Sequence, residues 1–273
     1  VAIQEISSFL KWAGGKRWLV KRHSYLFPEA FDRYFEPFVG SGAVFFALRP
    51  RYGLISDSNS ELINLYETIK TAPEDLMRAL KRHSVNHSER YYYETRECRP
   101  KSSVQRAART LYLNRTCWNG LYRVNKLGQF NVPRGTKNSV ILPSDDFLVV
   151  SKALRHIRIR CCDFEETISQ TKEGDFLFVD PPYTVRHNNN GFLKYNDSIF
   201  TWNDQIRLSR ALECARRRGV KMLVTNADHK PIRVLYNGMG AVHTLPRESV
   251  ISGAVAGRRR TSELAVQINY END

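Results

Sequence analysis

The period of hydrophobic and polar positions changes several times along this chain, and the changes outline a fold. Residues 33–38 read as a short apolar strand that stops at a proline-containing turn. Gly40-Ser41-Gly42 supplies the turn, and residues 43–48 open a helix. Residues 54–56 form a second short strand with Asp57 at its end. Leu62, Ile63, Leu65, Tyr66 and Ile69 share one helical face and predict a helix over 60–71. Strand, glycine turn, helix, strand and terminal acid, in that order, predict the front half of a doubly wound α/β sheet.

The alternation pauses at Pro73. Residues 73–114 carry the spacing of several basic helices, and 119–143, rich in Gly, Asn and Pro, read as loop and hairpin. Strands then return at 156–161, 176–179 and 220–225, with a helix over 203–218. Two β-rich runs, 242–250 and 263–270, flank Gly253, Gly257 and Arg258-Arg259-Arg260. They predict an antiparallel hairpin with a basic tip that closes the sheet. His187-Asn188-Asn189-Asn190-Gly191 reads as a flexible loop. The expected organisation is a Rossmann-like α/β domain built from residues 1–71 and 146–273, interrupted by a mainly helical insertion at 72–145. No internal repeat is visible.

Composition narrows the class. The 273 residues can bury a sizeable core, and the hydrophobic share of 42% is ordinary for a globular protein. No apolar run approaches the ~20 residues of a membrane helix. No secretory leader is read at the start, and the opening Val is read as the mark of trimming or processing. Five cysteines without CxxC spacing predict reduced thiols and a cytoplasmic setting, with Cys161-Cys162 as buried strand residues. Seven scattered histidines lack ligand spacing, so no metal is expected. The net charge of +14 is concentrated. Between Arg99 and Ser144 stand nine basic residues (Arg99, Lys101, Arg106, Arg109, Arg115, Arg123, Lys126, Arg134, Lys137) and no acidic one. Tyr112, Trp118, Asn119, Tyr122, Gln129 and Asn131 interleave them. A merely solvated face would mix signs, so a polyanion partner is predicted, nucleic acid first.

The candidate chemistry centres on Asp180-Pro181-Pro182-Tyr183, delivered by the apolar run at 175–179. The prolines stiffen the turn and remove two backbone donors, so nearby carbonyls can accept. A carboxylate plus such a carbonyl can hold both hydrogens of an exocyclic amine, while the tyrosine stacks on the ring that carries it. In Phe38-Val39-Gly40-Ser41-Gly42, glycines after the first strand let a ligand approach the backbone. Asp57 lies 17 residues beyond Gly40, near the spacing of an acid that binds ribose hydroxyls; it could equally be a helix cap. Lys11-Trp12-Ala13-Gly14-Gly15-Lys16 is a second glycine hinge, without Walker A spacing, whose Lys16 can cap a carboxylate. Asp163-Phe164 follows a strand and can bind an amine and stack on a purine.

Four blocks, Phe9-Leu10-Lys11-Trp12-Ala13-Gly14-Gly15-Lys16, Glu36-Pro37-Phe38-Val39-Gly40-Ser41-Gly42, Asn119-Gly120-Leu121-Tyr122-Arg123 with Phe130-Asn131-Val132-Pro133, and Asp180-Pro181-Pro182-Tyr183, resemble the Dam-type DNA adenine-N6 methyltransferases. Their order resembles the alpha arrangement of amino-methyltransferases. The resemblance implies S-adenosylmethionine contacts at Trp12, Lys16, Phe38, Gly40, Asp57 and Asp180, with Asp163 and Phe164 near the cofactor's adenine. It implies catalysis by Asp180, Pro181, Pro182 and Tyr183 on an adenine flipped out of duplex DNA. It places DNA contacts at Lys11, Trp118, Asn119, Leu121, Arg123, Pro133, Arg134 and Lys137, and the insertion at 72–145 as the target-recognition domain. Arg123 would read a guanine edge or, alternatively, hold a phosphate; Lys11 would read a second guanine. Leu121 and Pro133 would touch a thymine methyl, and Trp118 would enter the stack. Together these suggest GATC. Basic residues from Arg99 to Arg115, and Arg258 to Arg260, would hold phosphates. Close Dam relatives carry an aromatic shortly after the Pro133 position, where this chain has Arg134-Gly135-Thr136-Lys137, so another adenine-containing site stays open. An RNA or protein amino-methyltransferase is the rival enzyme; such relatives more often carry Asn at the Asp180 position. A non-catalytic DNA-binding module is the other rival. A restriction endonuclease would be a partner only through a shared site.

Overall fold

The computed structural model describes residues 6, 8–125, 127–184, 200–248 and 260–271. The expected loop at 187–191 and the expected basic tip, up to Arg259, lie outside the described residues. In chain order the elements are α1 (Arg17–Arg22), β1 (Tyr34–Glu36), α2 (Ala43–Leu48), β2 (Gly53–Asp57), α3 (Ser60–Thr71), α4 (Pro73–Val85), α5 (Glu89–Glu97) and α6 (Ser103–Thr116). Then follow α7 (Phe147–Leu154), β3 (Ile157–Cys161), α8 (Phe164–Ile168), β4 (Phe176–Val179), α9 (Trp202–Arg217), β5 (Lys221–Ala227), α10 (Lys230–Leu235), β6 (Ala241–Glu248) and β7 (Arg260–Ile268). The architecture is mixed α/β with a seven-strand, mostly parallel sheet, the Rossmann-like class expected of the sequence. Among the described residues no helix is long and apolar enough to cross a membrane, and no group of three His, Cys, Asp or Glu could hold a metal.

The chain divides into two compact units. The first comprises Val1–His23 and Val39–Cys162. Here β2 runs parallel to β3, with Gly53 opposite Ile157 and Asp57 opposite Cys161. Cys161 and Cys162, expected as buried strand residues, are not: β3 is an edge strand, so Cys161 is exposed, and Cys162, just past its end, is half-buried. Asn59 caps α3, its Oδ1 accepting from the Glu61 and Leu62 amides, and thereby ends the strand–turn that carries Asp57. Helix α6 is the spine of the unit. Its Ala107, Ala108, Leu111, Tyr112 and Leu113 are buried, and it packs against α3, α4 and α5.

The second unit comprises Ser24–Phe38 and Asp163–Asp273. Strands β1, β4 and β5 are parallel; β7 is antiparallel to both β5 and β6. Every residue of β4 is buried, which is why its sequence is continuously apolar. Asp175, just before it, is fully buried, yet it is paired bidentately with Arg33 at 2.9 and 2.6 Å and accepts from the Lys172 amide. A capping box, Thr201 with Asp204, starts α9.

Three of the arginines expected on phosphates are internal ties instead. Arg106 pairs with Glu61 at 2.6 Å. Arg109 donates to the carbonyls of Thr95 and Arg96 at 2.9 and 2.5 Å. Arg115, 3% exposed, pairs bidentately with Asp145 at 2.6 Å and donates to the carbonyls of Val140 and Phe9. An acid 30 residues downstream, just outside the acid-free run, supplies the countercharge that the local sequence lacks. Asp145→Ala leaves this guanidinium buried and uncompensated, and lowers unfolding stability by about 3–5 kcal/mol, measurable by urea titration.

Candidate active site

In the first unit the glycine turn sits beneath an indole. Gly40 has φ +46°, and a Cβ there would stand 2.8 Å from Trp12 Cδ1. The residue must therefore be glycine for both conformation and space. Trp12 stacks on Tyr122 with ring centroids 5.2 Å apart. The Gly40 amide donates to Asp57 Oδ2 at 3.3 Å, the Asn59 amide donates to Oδ1 at 3.0 Å, and Tyr66 Oη donates to the Gly40 carbonyl at 3.0 Å. Asn59, not Asp57, caps α3, so the helix-cap alternative for Asp57 is taken by its neighbour. Burial of the Asp57 carboxyl pushes its pKa up to about 6, against the pull of the Asn59, Gly40 and Ser58 amides. Lys16 is buried and donates from Nζ to the Gly14 carbonyl at 2.9 Å.

The same unit holds the base-contact candidates. Asn114, fully buried near the end of α6, makes three bonds. It accepts from the Lys11 amide at 3.0 Å and donates to the carbonyls of Lys11 and Gly120 at 2.8 and 3.3 Å. The Lys11 stem crosses Gly120, where φ is +66° and a Cβ would approach Lys11 Cδ to 2.3 Å. Burial, with the Lys137 ammonium beside it, holds Lys11 below the ordinary lysine pKa. Trp118 and Asn119 are exposed, and Asn119 is left-handed at φ +55°. Leu121 is half-buried, and Pro133 and Lys137 are exposed. Arg123 Nε donates to Asn131 Oδ1 at 2.8 Å, and Arg134 donates to Asn138 Oδ1 at 2.8 Å. His87 bonds the same Asn138 oxygen and the Tyr112 hydroxyl, while Tyr92 Oη donates to the Val132 carbonyl. Antiparallel bridges join Cys117 to Arg134 and Val124 to Phe130, so the hairpin read from the sequence is present.

In the second unit, Asp180-Pro181-Pro182-Tyr183 follows β4 directly. Thr225 Oγ1 donates to Asp180 Oδ1 at 2.9 Å. Gln205 Nε2 donates to the Pro182 carbonyl at 3.3 Å, and Asn226 Nδ2 in turn donates to Gln205 Oε1 at 3.0 Å. Tyr183 Oη donates to Glu263 Oε2 at 2.8 Å. Phe38 stacks on Phe164 at 5.6 Å, with the Phe200 ring edge-on to Phe38. Arg207 lies 4.9 Å over the Phe164 ring and donates to Asp163 Oδ1, which also caps α8 through the Glu165 amide.

These features belong together in one class of protein. The model of the D12 class N6 adenine-specific DNA methyltransferases matches residues 12–250. The chain belongs to this family. A type II methyltransferase of Lactococcus lactis subsp. cremoris, M1.LlaDCHI, is 36% identical over 97% of this chain and 95% of its own length. A DNA adenine methylase of Vibrio cholerae is 34% identical over 94% of each. M.MjaIII, a type II methyltransferase of Methanocaldococcus jannaschii, is 36% identical over 82% of this chain and 85% of its own length. The methyltransferase is thus an adenine-specific, DNA-acting enzyme, and its family implies S-adenosylmethionine as methyl donor. The side chains present suit that group. Lys16 offers an ammonium for a carboxylate, Asp57 an acceptor for ribose hydroxyls, and Phe38 with Phe164 an aromatic pair for a purine.

Several residues that set this geometry were not singled out from the sequence. Asn114, Thr225, Gln205, Asn226, Arg207 and Glu263 act at long sequence separation, where no local spacing marks them.

Two outcomes follow for the methyltransferase. A carboxyl raised to about 6 binds its proton more tightly in the folded state, so its contribution to stability is present below pH 4 and lost as pH rises through 6. Relative to Asp57→Asn, wild type therefore loses up to about 2–3 kcal/mol between pH 4 and 7, read by denaturation of both proteins across pH. Gly120→Ala meets the Lys11 stem and a left-handed backbone, and weakens binding of target duplex at least about tenfold in fluorescence anisotropy.

Proposed function

We propose that the enzyme methylates N6 of adenine in duplex DNA at GATC, on a base flipped out of the helix. The observation that carries this reading is the orientation of Asp180. Its Oδ1 is fixed by Thr225, while Gln205 occupies the Pro182 carbonyl. Of the two proline carbonyls, Pro181 is therefore the one that serves as acceptor beside the acid.

Adenine N6 is a weak nucleophile because its lone pair is delocalised into the ring. Asp180 accepts one N6 hydrogen and the Pro181 carbonyl accepts the other, which favours a pyramidal nitrogen with a localised lone pair. Tyr183 stacks on the base. S-adenosylmethionine, when bound, supplies an electrophilic methyl group on a sulfonium. Lys16 would hold its carboxylate and Asp57 its ribose; Trp12 and Gly40 would shape the turn beside them, and Phe38, Asp163 and Phe164 would receive its adenine. Catalysis rests on positioning and electrostatics, with no covalent enzyme intermediate.

Residues 72–145 serve as the target-recognition region. Arg123, held by Asn131, presents its remaining edge to a guanine. Lys11 and Lys137, two ammonium groups held side by side, seek an acceptor such as guanine O6 or N7, or a phosphate oxygen. Leu121 and Pro133 contact a thymine methyl, Trp118 and Asn119 fill the space the base leaves, and Arg134 holds the backbone. The free cysteines suit the cytoplasmic, DNA-associated setting proposed for the enzyme.

Asp180→Ala lowers the single-turnover methylation rate at least about 1000-fold, while duplex affinity changes less than about threefold; retention within about tenfold refutes the role. Methylating a random duplex library and mapping the modified adenines tests the site. GATC enrichment is expected, and enrichment of another adenine context overturns the assignments of Lys11 and Arg123 without touching that of Asp180.

A further inference from the structure

We infer that Glu263 is a positioning residue for the methyl-transfer step, acting through Tyr183. The inference rests on the reading that Tyr183 stacks on the target adenine.

Glu263 stands on β7, opposite Ala227 of β5, and is 3% exposed. A carboxylate so deeply buried is costly unless it is bonded, and the motif tyrosine donates to it at 2.8 Å. Tyr183 follows two prolines at the end of β4, where the backbone cannot contribute ladder bonds. The hydroxyl anchor therefore fixes the plane of a ring that must lie parallel to a purine. It also polarises the ring. A phenol that donates to a carboxylate carries more electron density on its face. As N6 gains a methyl it becomes positively charged until a proton leaves to solvent, so an electron-rich face opposite it favours the transition state over the ground state. No proton moves between Tyr183 and Glu263; both keep their charge state throughout. The pair completes a set of three holds on the motif, in which Thr225 takes the acid, Gln205 the second proline carbonyl and Glu263 the tyrosine.

Three measurements test this. Glu263→Gln keeps the shape and removes the charge. Its single-turnover rate on target duplex is expected to fall about 10- to 100-fold, with duplex and S-adenosylmethionine affinities within about threefold of wild type. With 2-aminopurine at the target adenine, its fluorescence lifetimes shift from the wild-type distribution towards that of Tyr183→Ala, reporting a looser stack. Tyr183→Phe, which removes only the hydroxyl, reproduces both changes, and the double variant is no worse than either single one. If Glu263→Gln does not fold, Tyr183→Phe alone carries these two readouts. Wild-type rate and lifetimes in the variant that folds, or effects that multiply in the double variant, overturn the inference. Near-ultraviolet difference absorbance, with Tyr183→Phe subtracted as blank, reads the pair without DNA. A phenol that donates to a carboxylate absorbs to the red of one that donates to an amide, so Glu263→Gln shifts the Tyr183 band to the blue. An unchanged band overturns the inference even where the enzyme is active. A wild-type chain that shows the pair but no 2-aminopurine response removes the base-flipping reading instead.

Discussion

Parallel pairing of β4 with β5 sets Val179 opposite Val224, so the next residues on the two strands are Asp180 and Thr225. Their side chains meet at 2.9 Å. Much of the proposed chemistry depends on this register. Parallel strands end on the same side of a sheet, so an acid leaving one strand finds a hydroxyl on its neighbour without any long excursion. A slip of one residue would turn the hydroxyl to the opposite face and bring Val224 or Asn226 opposite the acid in place of Thr225. Thr225 is itself fully buried, and its hydroxyl is shared between Asp180 and the Val179 carbonyl. The carboxylate orientation is therefore set by the sheet, and the sheet is set by the apolar run that precedes the motif.

The first unit solves a parallel problem with one carboxamide. Asn114 has one acceptor oxygen and two donor hydrogens, and all three functions are used by Lys11 and Gly120. The Lys11 backbone is held in both directions, much as a neighbouring strand would hold it. An amide that is buried and fully bonded resists exchange of partners more strongly than an exposed one. Helix α6 thus transmits its own rigidity to a segment 103 residues away in sequence and to the loop that follows the helix. The residues proposed to read DNA stand on a fixed base although they lie in irregular backbone.

Elements with a strong local period were legible in the sequence. The helix at 60–71 and the strand at 176–179 fall where the apolar spacing put them, because burial of those faces is what forms them. The glycine turn and the Asp-Pro-Pro-Tyr segment were legible because their backbone chemistry is written in consecutive residues. The partners of those residues were not. Nothing near Asp180 announces Thr225, and nothing near Tyr183 announces Glu263, 80 residues on. The reading of charge erred for the same reason. A run free of acids read as a surface for a polyanion, yet Glu61, far upstream in sequence, and Asp145, just beyond its end, fold against Arg106 and Arg115.

That error sharpens the division of labour among the basic residues. An arginine whose fork is filled by carbonyls and a carboxylate cannot also neutralise a phosphate, so net charge overstates the electrostatic footprint on DNA. What is left of the acid-free run is more selective. Arg123 and Arg134 each lean on an asparagine oxygen that takes one donor and fixes the plane of the guanidinium. Lys11 is half-buried and carries a second ammonium at its side, an arrangement that disfavours the free state and is relieved by an acceptor. Ordering these side chains before DNA arrives removes conformational entropy that would otherwise oppose binding, and it does so only for a partner whose acceptors match the fixed geometry. A flexible basic surface would bind any duplex; under the proposed reading, side chains locked in this way favour base edges at set positions, which is the requirement for methylating one adenine context among many.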